Sequence, residues 1–529
     1  TSRLVEPWKN LSDMHLTVYG RFAPIRAKQR LRARHPRFAS GWRLSAERSF
    51  KPTPGSAACV SWEREWLNEI QQVHRSGDRV MTTPRRVLIL GGGFGGVYAA
   101  LEFERRVGRH SDIEVTMVAR DNYFLFTPML HEVAASDLEL TTIINPLRKL
   151  LSRVRTFVGN IESVDLARRR VAVSHGFDGH AHELPYDLLI ITLGCSTNFF
   201  GLPGVEENAL TVKSIGDAVA LRNRLIAHLE EANSECSAGQ RHPLLTFVVA
   251  GGGFAGVETL GGINDFVREA LKFYPNLRAE YLRMVLVTPD EVILPELSAR
   301  LGSYAQKKLA ARGIEIIPRA KVTAFEDGVV NLSNGDKIPA DTLIWTAGTA
   351  PNPLVASLPF PKDRGRIVVN DCLEVPGFPG VWAFGDCASV PNTTTGGTHP
   401  PTAQHALREG KAAARNVIAE LDGGRKRPFR FATLGQLAAI GRRSGVANVF
   451  GVNFSGFIAW WLWRTIYLSK LPRFEKKVRV ALDWTLDLMF SKDFACVTSN
   501  GRAAPAVPVT TGRALRIEKG GACGLHPAD

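Results

Sequence analysis

An α/β fold of two parallel-sheet units, the second inserted into the first, is predicted by three observations. A glycine-rich hexapeptide occurs twice, as GGGFGG at 91–96 and GGGFAG at 251–256. Each copy follows an apolar run of strand type, RRVLIL at 85–90 and LLTFVVA at 244–250, and opens a helical pattern that runs on from Val97 and Val257. Two later apolar runs, DLLIITLG at 187–194 and DTLIWTAG at 341–348, echo each other and imply two crossings between a discontinuous first unit and an insert.

In a strand–loop–helix context each glycine has a task. Gly91 and Gly251 permit the tight turn, Gly93 and Gly253 let backbone amides approach a pyrophosphate, and Gly96 and Gly256 allow close packing of helix on strand. The helix N-terminus offers positive partial charge to the phosphates, and Phe94, Gly95 and Phe254 complete the two loops. One such loop binds one dinucleotide, so the pair predicts two Rossmann-like dinucleotide-binding domains and electron transfer between their cofactors. Gly194 and Gly348, closing the echoing runs, are counted among the cofactor-binding positions.

The other elements follow in order. IEVTMV at 113–118 continues the first βαβ unit, and GLPG at 201–204 leads through a charged helical stretch to the second, which takes in LRMVLV at 282–287. The predicted organisation is a basic extension at 1–83, a first domain at 84–200 resumed at 349–430, an inserted domain at 201–348, a carboxyl-terminal region at 431–498 and a tail at 499–529. The extension and the tail, the latter rich in Gly, Ala and Pro, are expected to be disordered.

The 529 residues carry a net charge of +15, and the first eighty hold fifteen Lys/Arg against seven Asp/Glu. Such an excess attracts nucleic acid or an anionic membrane surface. No nucleic-acid motif accompanies it, so nucleic acid is not expected as a partner. The stretch 14–46, with eight Lys/Arg and no acid, suits an organellar targeting segment, whereas MTTPRRV from Met81, abutting the first strand, favours an extension upstream of the folded protein. The seven cysteines include no CxxC and no metal-ligand cluster, which argues for a reducing compartment and against both a disulfide framework and a metal site.

GVWAFGDC at 380–387 supplies a further signal. With the two glycine loops it makes the chain resemble the two-dinucleotide flavoproteins, whose FAD domain is interrupted by an NAD(P)H domain. The resemblance implies that the 91–96 loop takes FAD, with Gly385 and Asp386 at its ribityl chain, and that the 251–256 loop takes the nicotinamide donor. No cysteine lies between Cys59 and Cys195, so disulfide-reductase chemistry is poorly supported.

Over 85–491 the sequence is similar, more narrowly, to type II NADH dehydrogenases, single-subunit, non-pumping NADH:quinone oxidoreductases. NYFLFTPML at 122–130 matches the segment that lines the flavin, which implies ring contacts for Phe126, Thr127 and Pro128. Gly256-Val-Glu258 matches a motif whose glutamate lies between nicotinamide and flavin, and TAQHALREG at 402–410 matches the quinone-end segment, bringing in Ala403 and Gln404. Glu258 and Gln404 are thus the catalytic candidates. Three departures stand out. The ribose-binding acids expected at the ends of the second strands are Ala119 and Thr288, with Asp121 and Asp290 two residues on, and the second glutamine of the quinone segment is Arg408. They leave NADPH open beside NADH.

The carboxyl-terminal region carries three tryptophans and a tyrosine in SGFIAWWLWRTIYL at 455–468, then Phe474, Val478, Ala481, Leu482, Leu488 and Met489 at helical spacing. This interfacial pattern, with the family's membrane-attachment helices behind it, implies peripheral binding to an anionic lipid surface. The expected location is the cytoplasmic face of a bacterial inner membrane, or the mitochondrial inner membrane if the extension is a transit peptide. Membrane quinone is the expected acceptor, entering near Gln404 and the segment 460–467, and a homodimer is left open. Two other functions compete: a sulfide:quinone oxidoreductase using Cys195 and Cys387, and a catalytically weakened flavoprotein acting as a regulatory module.

Overall fold

The computed structural model describes residues 84–106, 113–176 and 179–496. The expectations for 1–83 and for the tail from 499 lie outside these residues.

Arg85–Leu90 (β1) is buried from Val87 onward and pairs in parallel on both sides, which explains its unbroken apolar run. It leads into helix α1, Phe94–Arg106, and the chain returns as β2, Ile113–Ala119, and β3, Arg155–Val158. The short helix α2, Leu130–Ala134, lies between those strands in sequence, and β4, Leu188–Ile191, follows. The chain then crosses and builds a second parallel sheet from β5, Thr246–Ala250, β6, Arg283–Val287, β7, Ile314–Ile317, and β8, Thr342–Trp345, in the order β7-β6-β5-β8. Helix α3, Phe254–Ala270, follows β5. The chain crosses back and adds β9, Val381–Ala383, beside β4, which completes a first sheet ordered β9-β4-β1-β2-β3.

The two crossings pair with each other, Cys195–Thr197 running antiparallel to Thr349–Pro351. In each sheet the loop-bearing strand lies between two parallel neighbours, where the connections diverge to either side. That divergence opens a crevice at the strands' carboxyl ends. One boundary differs from expectation. Leu244 closes the preceding helix, Ala238–Leu244, and strand pairing starts at Thr246, opposite Arg283.

Helix α4, Ala403–Leu421, lies along α1, and a methyl added at Gly410 would overlap the Gly95 carbonyl. Beyond it come three antiparallel strands, β10, Gly435–Ala439, β11, Gly445–Val449, and β12, Val452–Gly456, and then a hairpin of helices, α5, Phe457–Lys470, and α6, Phe474–Met489. Two glycines let α3 press between this region and α2. A methyl at Gly261 would stand 2.9 Å from the Ile440 carbonyl carbon, and one at Gly262 would stand 3.1 Å from the Ala135 methyl.

The hairpin turns its apolar stripe outward. Phe474 and Met489 are 80% and 71% exposed, with Val478, Leu482, Leu486 and Leu488 alongside, and Phe457, Ile458 and Trp461 are exposed on α5. Inward point Trp460, Trp463, Lys476, Val480 and Trp484, all buried. The reading of all three tryptophans and the tyrosine of 455–468 as interfacial is corrected here. Only Trp461 faces outward, because a helix apolar almost all round has both a core face and an outer face. Among the described residues no helix is long and apolar enough to cross a membrane.

Candidate functional site

The two glycine loops are built alike. Gly91 N–H donates to the Val118 carbonyl and Gly251 N–H to the Val287 carbonyl, both at 2.9 Å, and each of these glycines has positive φ. A threonine from the next strand end braces each loop: Thr192 Oγ1 donates to the Leu90 carbonyl at 2.9 Å, and Thr346 Oγ1 to the Ala250 carbonyl at 2.8 Å. A methyl at Gly96 or Gly256 would overlap the carbonyl of Gly91 or Gly251. The second glycines pack on the ends of the second strands, Gly92 against Ala119 and Gly252 against Thr288. This tight packing accounts for the small residues at those strand ends.

Gly93 stands apart. A methyl there would meet nothing within 4 Å, and one at Gly253 only Glu296 Oε1 at 3.4 Å. Neither packing nor a positive φ requires glycine at these two positions, so the free space lies on the ligand side of each loop. The cradles therefore fit two dinucleotide pyrophosphates, with the unbonded amides at the amino ends of α1 and α3 as donors. Gly93→Val is expected to leave the thermal midpoint of the flavin-free protein within about 2 °C of wild type while lowering retained flavin several-fold. Equal flavin absorbance per chain after purification would reject that role.

The remaining candidates fall at different depths. Thr288 is fully buried, its hydroxyl accepting from Asp290 N–H at 3.3 Å, so its side chain serves the loop from beneath, while Asp290 is exposed. Asp121 is half-exposed beside Arg120, at 3.4 Å. Phe126 is buried in an aromatic cluster with Phe94 and Tyr467, at centroid distances of 5.7 and 6.3 Å, whereas Thr127 is exposed and Pro128 partly so. Gly194 and Gly348 both have positive φ at the paired crossings, and a methyl at Gly348 would strike the Phe200 ring. Gly385 also has positive φ, and its N–H donates to Glu409 at 2.8 Å. Asp386 accepts from the Cys195 thiol at 3.3 Å. Ala403 opens α4, and next to it Gln404 Nε2 donates to the Gly435 carbonyl at 3.3 Å. The Gln404 carbonyl in turn accepts from Arg408 at 2.7 Å.

Glu258, in the second turn of α3, is the most constrained of these residues. Its Oε1 accepts from Ala439 N–H at 3.0 Å and from Trp463 Nε1 at 2.8 Å, and its Oε2 lies 3.9 Å from His131 Nδ1. Burial pushes the carboxyl up to about 8 against the pull of both donors, and burial pulls His131 down to about 4. At neutral pH the pair is therefore mostly neutral, and Glu258 holds a proton that a modest change in its surroundings would release. Next to it, burial also pushes Glu132 up to about 8, opposed by Arg464 and by Trp484 Nε1, which donates at 3.0 Å. Arg464 is held between the rings of Trp460 and Trp484, 4.2 and 4.6 Å from their centroids.

Sequence reasoning missed Trp484, His131, Glu132 and Glu409, and it took in Trp463 only as part of the segment 460–467, without its bond to Glu258. The glutamate of TAQHALREG was available as a signal, since an acid facing a buried helix surface needs a partner. Burial pushes Glu409 up to about 7, with the Gly385 N–H opposing. The two cysteines held for a competing function are not activated. Burial raises Cys195, and it pushes the Cys387 thiol up to about 12, where it donates to the Phe384 carbonyl at 3.3 Å.

Two cradles, an aromatic-lined crevice and a buried carboxyl on the second cradle's helix define an oxidoreductase that passes electrons between two bound dinucleotides. In agreement, the family of pyridine nucleotide-disulphide oxidoreductases matches residues 85–410 and the NDH2 C-terminal domain matches residues 434–493. The chain is 33% identical to the type II NADH:quinone oxidoreductase Ndh of Mycobacterium tuberculosis over 423 residues, 77% of this chain and 89% of that one. It belongs to the type II NADH:quinone oxidoreductases, FAD-dependent enzymes that do not pump protons. Its fold is that of NDH2 from Plasmodium falciparum solved with NADH, at a TM-score of 0.72 and 19% identity, covering 78% of this chain and 99% of that one. The sulfide:quinone oxidoreductase of Aquifex aeolicus shares the fold at a TM-score of 0.58 and 19% identity, covering 77% of this chain and 96% of that one.

Proposed function

We propose that the 251–256 loop binds NADH, the 91–96 loop binds FAD, and quinone is reduced at the Gln404 end of α4. FAD, when bound, accepts a hydride from NADH and passes two electrons to quinone. The protein's part is to hold donor and acceptor in line and to manage protons. The observation that carries the assignment is Glu258, a buried carboxyl one turn into the helix that begins at the second cradle, which burial pushes toward its neutral form. Its Oε2 holds or yields a proton beside His131, while the Trp463 and Ala439 N–H groups fix Oε1. Asp386 and the Gly385–Glu409 pair form the polar wall of the flavin cradle, and Phe126 supports it from the apolar side. Asp290, exposed three residues past the second strand, favours NADH, since its carboxylate would repel a 2′-phosphate.

The outward apolar face of the α5–α6 hairpin gives peripheral attachment to the membrane that supplies quinone. An anaerobic titration tests the whole reading. NADH is expected to bleach the flavin and a quinone analogue to restore its colour, with NADPH much weaker and sulfide without effect. Bleaching by sulfide that disappears in Cys195→Ser/Cys387→Ser would turn the assignment over to sulfide oxidation.

A further inference from the structure

A second concave surface lies away from both cradles. Helix α4 and the segment 425–431 enclose a groove of about 600 Å³ whose floor includes Phe429 and Phe431. Arg408, Lys411 and Arg415 line it from the helix and Arg425, Arg427 and Arg430 from the segment, and no carboxylate is among its lining residues. The walls are fixed. Buried Asn416 donates to the Arg427 carbonyl at 2.9 Å and accepts from Arg427 N–H at 2.9 Å, and the Arg408 guanidinium stacks 4.1 Å above the Phe431 ring.

Charge compensation here is incomplete. Glu102 serves Arg415 at 2.8 Å and Arg106, at the groove's edge, at 3.2 Å, while Glu374 and Glu420 are engaged by Lys426. Arg425 and Arg430 line the same wall, which carries no carboxylate of its own. Burial holds the Lys411 ammonium below its ordinary value, and Arg105, Arg408 and Arg415 act in the same direction, with Glu102 opposing. Cations held together on rigid walls favour an anion that brings several acceptor oxygens at once.

The groove is also continuous with the membrane-facing hairpin. Lys411 Nζ sits 5.2 Å from the Tyr98 ring centroid, and Tyr98 OH donates to the Lys470 carbonyl at 3.4 Å, at the last residue of α5. We propose that this groove is a binding site for the phosphodiester headgroup of an anionic phospholipid, held by Arg425, Arg427, Arg430, Lys411 and Arg415 beside the apolar hairpin. The proposal extends the membrane-attachment reading, because that reading needs only the hairpin's apolar face.

The test uses the flavin-loaded enzyme and vesicles of phosphatidylcholine, with or without phosphatidylglycerol, in a sedimentation assay at low ionic strength. Wild type is expected to bind the anionic vesicles roughly tenfold more tightly or better, and Arg425→Glu/Arg430→Glu to abolish most of that preference. Flavin content and turnover with a soluble quinone should be unchanged in this variant. Arg168→Glu/Arg278→Glu, an equal charge reversal elsewhere, should cost less than about twofold. Equal losses in both double variants, or none in the groove variant, would overturn the headgroup site and leave attachment through the hairpin intact. Binding to neither kind of vesicle would overturn both. Displacement of the enzyme from anionic vesicles by free glycerol 3-phosphate would show that the groove takes a soluble phosphate ester, against the proposal.

Discussion

Glu258→Gln is expected to keep its flavin and to lower NADH:quinone turnover about a hundredfold, the scale on which an acid–base group acts. The amide still accepts from Ala439 N–H and Trp463 Nε1, so packing around position 258 is retained. What it lacks is a proton that can leave. The same variant carries a signature in stability. A buried carboxyl raised to about 8 keeps its proton in the folded state while the unfolded chain loses it near the ordinary carboxyl value. Between those two pH values the folded form holds more protons, so wild-type stability falls as pH rises, and the loss is complete above about 8. Glutamine removes that dependence. Above pH 8 the variant should exceed wild type by roughly 4–5 kcal/mol, and near pH 4 the two should agree, as read from urea midpoints. Unaltered turnover, or a wild-type pH slope retained in the variant, would remove Glu258 from the mechanism.

Deleting the α5–α6 hairpin is expected to unfold the enzyme. Four inward groups would vanish together. Besides Trp463 and Trp484 they are Arg464, stacked between Trp460 and Trp484, and Lys476, which donates to the Thr141 carbonyl at 2.6 Å. Each buried partner left behind costs about 1–3 kcal/mol, which in sum approaches the whole stability of a domain. Trp463→Phe isolates one contact. It keeps the ring but loses the N–H, so it should cost about 1–3 kcal/mol in urea unfolding. Removing a donor from the charged form raises the Glu258 carboxyl further, so the alkaline limb of the turnover profile should move to higher pH. A limb that stays in place would show that Trp463 only packs.

The cradles were legible in the sequence because each glycine there answers a local need, a positive φ at Gly91 or a carbonyl in the way of a side chain at Gly96. The inserted topology was legible because strands buried on both faces leave uninterrupted apolar runs, such as 187–194. The hairpin resisted this reading. Spacing puts Trp460, Trp463 and Tyr467 on one stripe and Phe457, Ile458 and Trp461 on another, but nothing local says which stripe meets the protein. Only long-range partners decide it, and Glu258 and Glu132 lie more than two hundred residues earlier in the chain. Thr288 was misleading for a related reason. Its strand-end position points to a ribose, while the close approach of Gly252 turns the side chain into a brace beneath the loop.

The hairpin's two faces set the terms for any attempt to make this enzyme's surface more polar. Trimming it away takes the anchors of the active site along with the greasy exterior. Recoating is the workable route: polar residues at Phe474, Val478, Leu482, Leu486 and Met489 would change only the exposed face, while Lys476, Val480 and Trp484 keep their places inside. Such a chain should stay yellow and accept a short-tailed quinone in plain buffer.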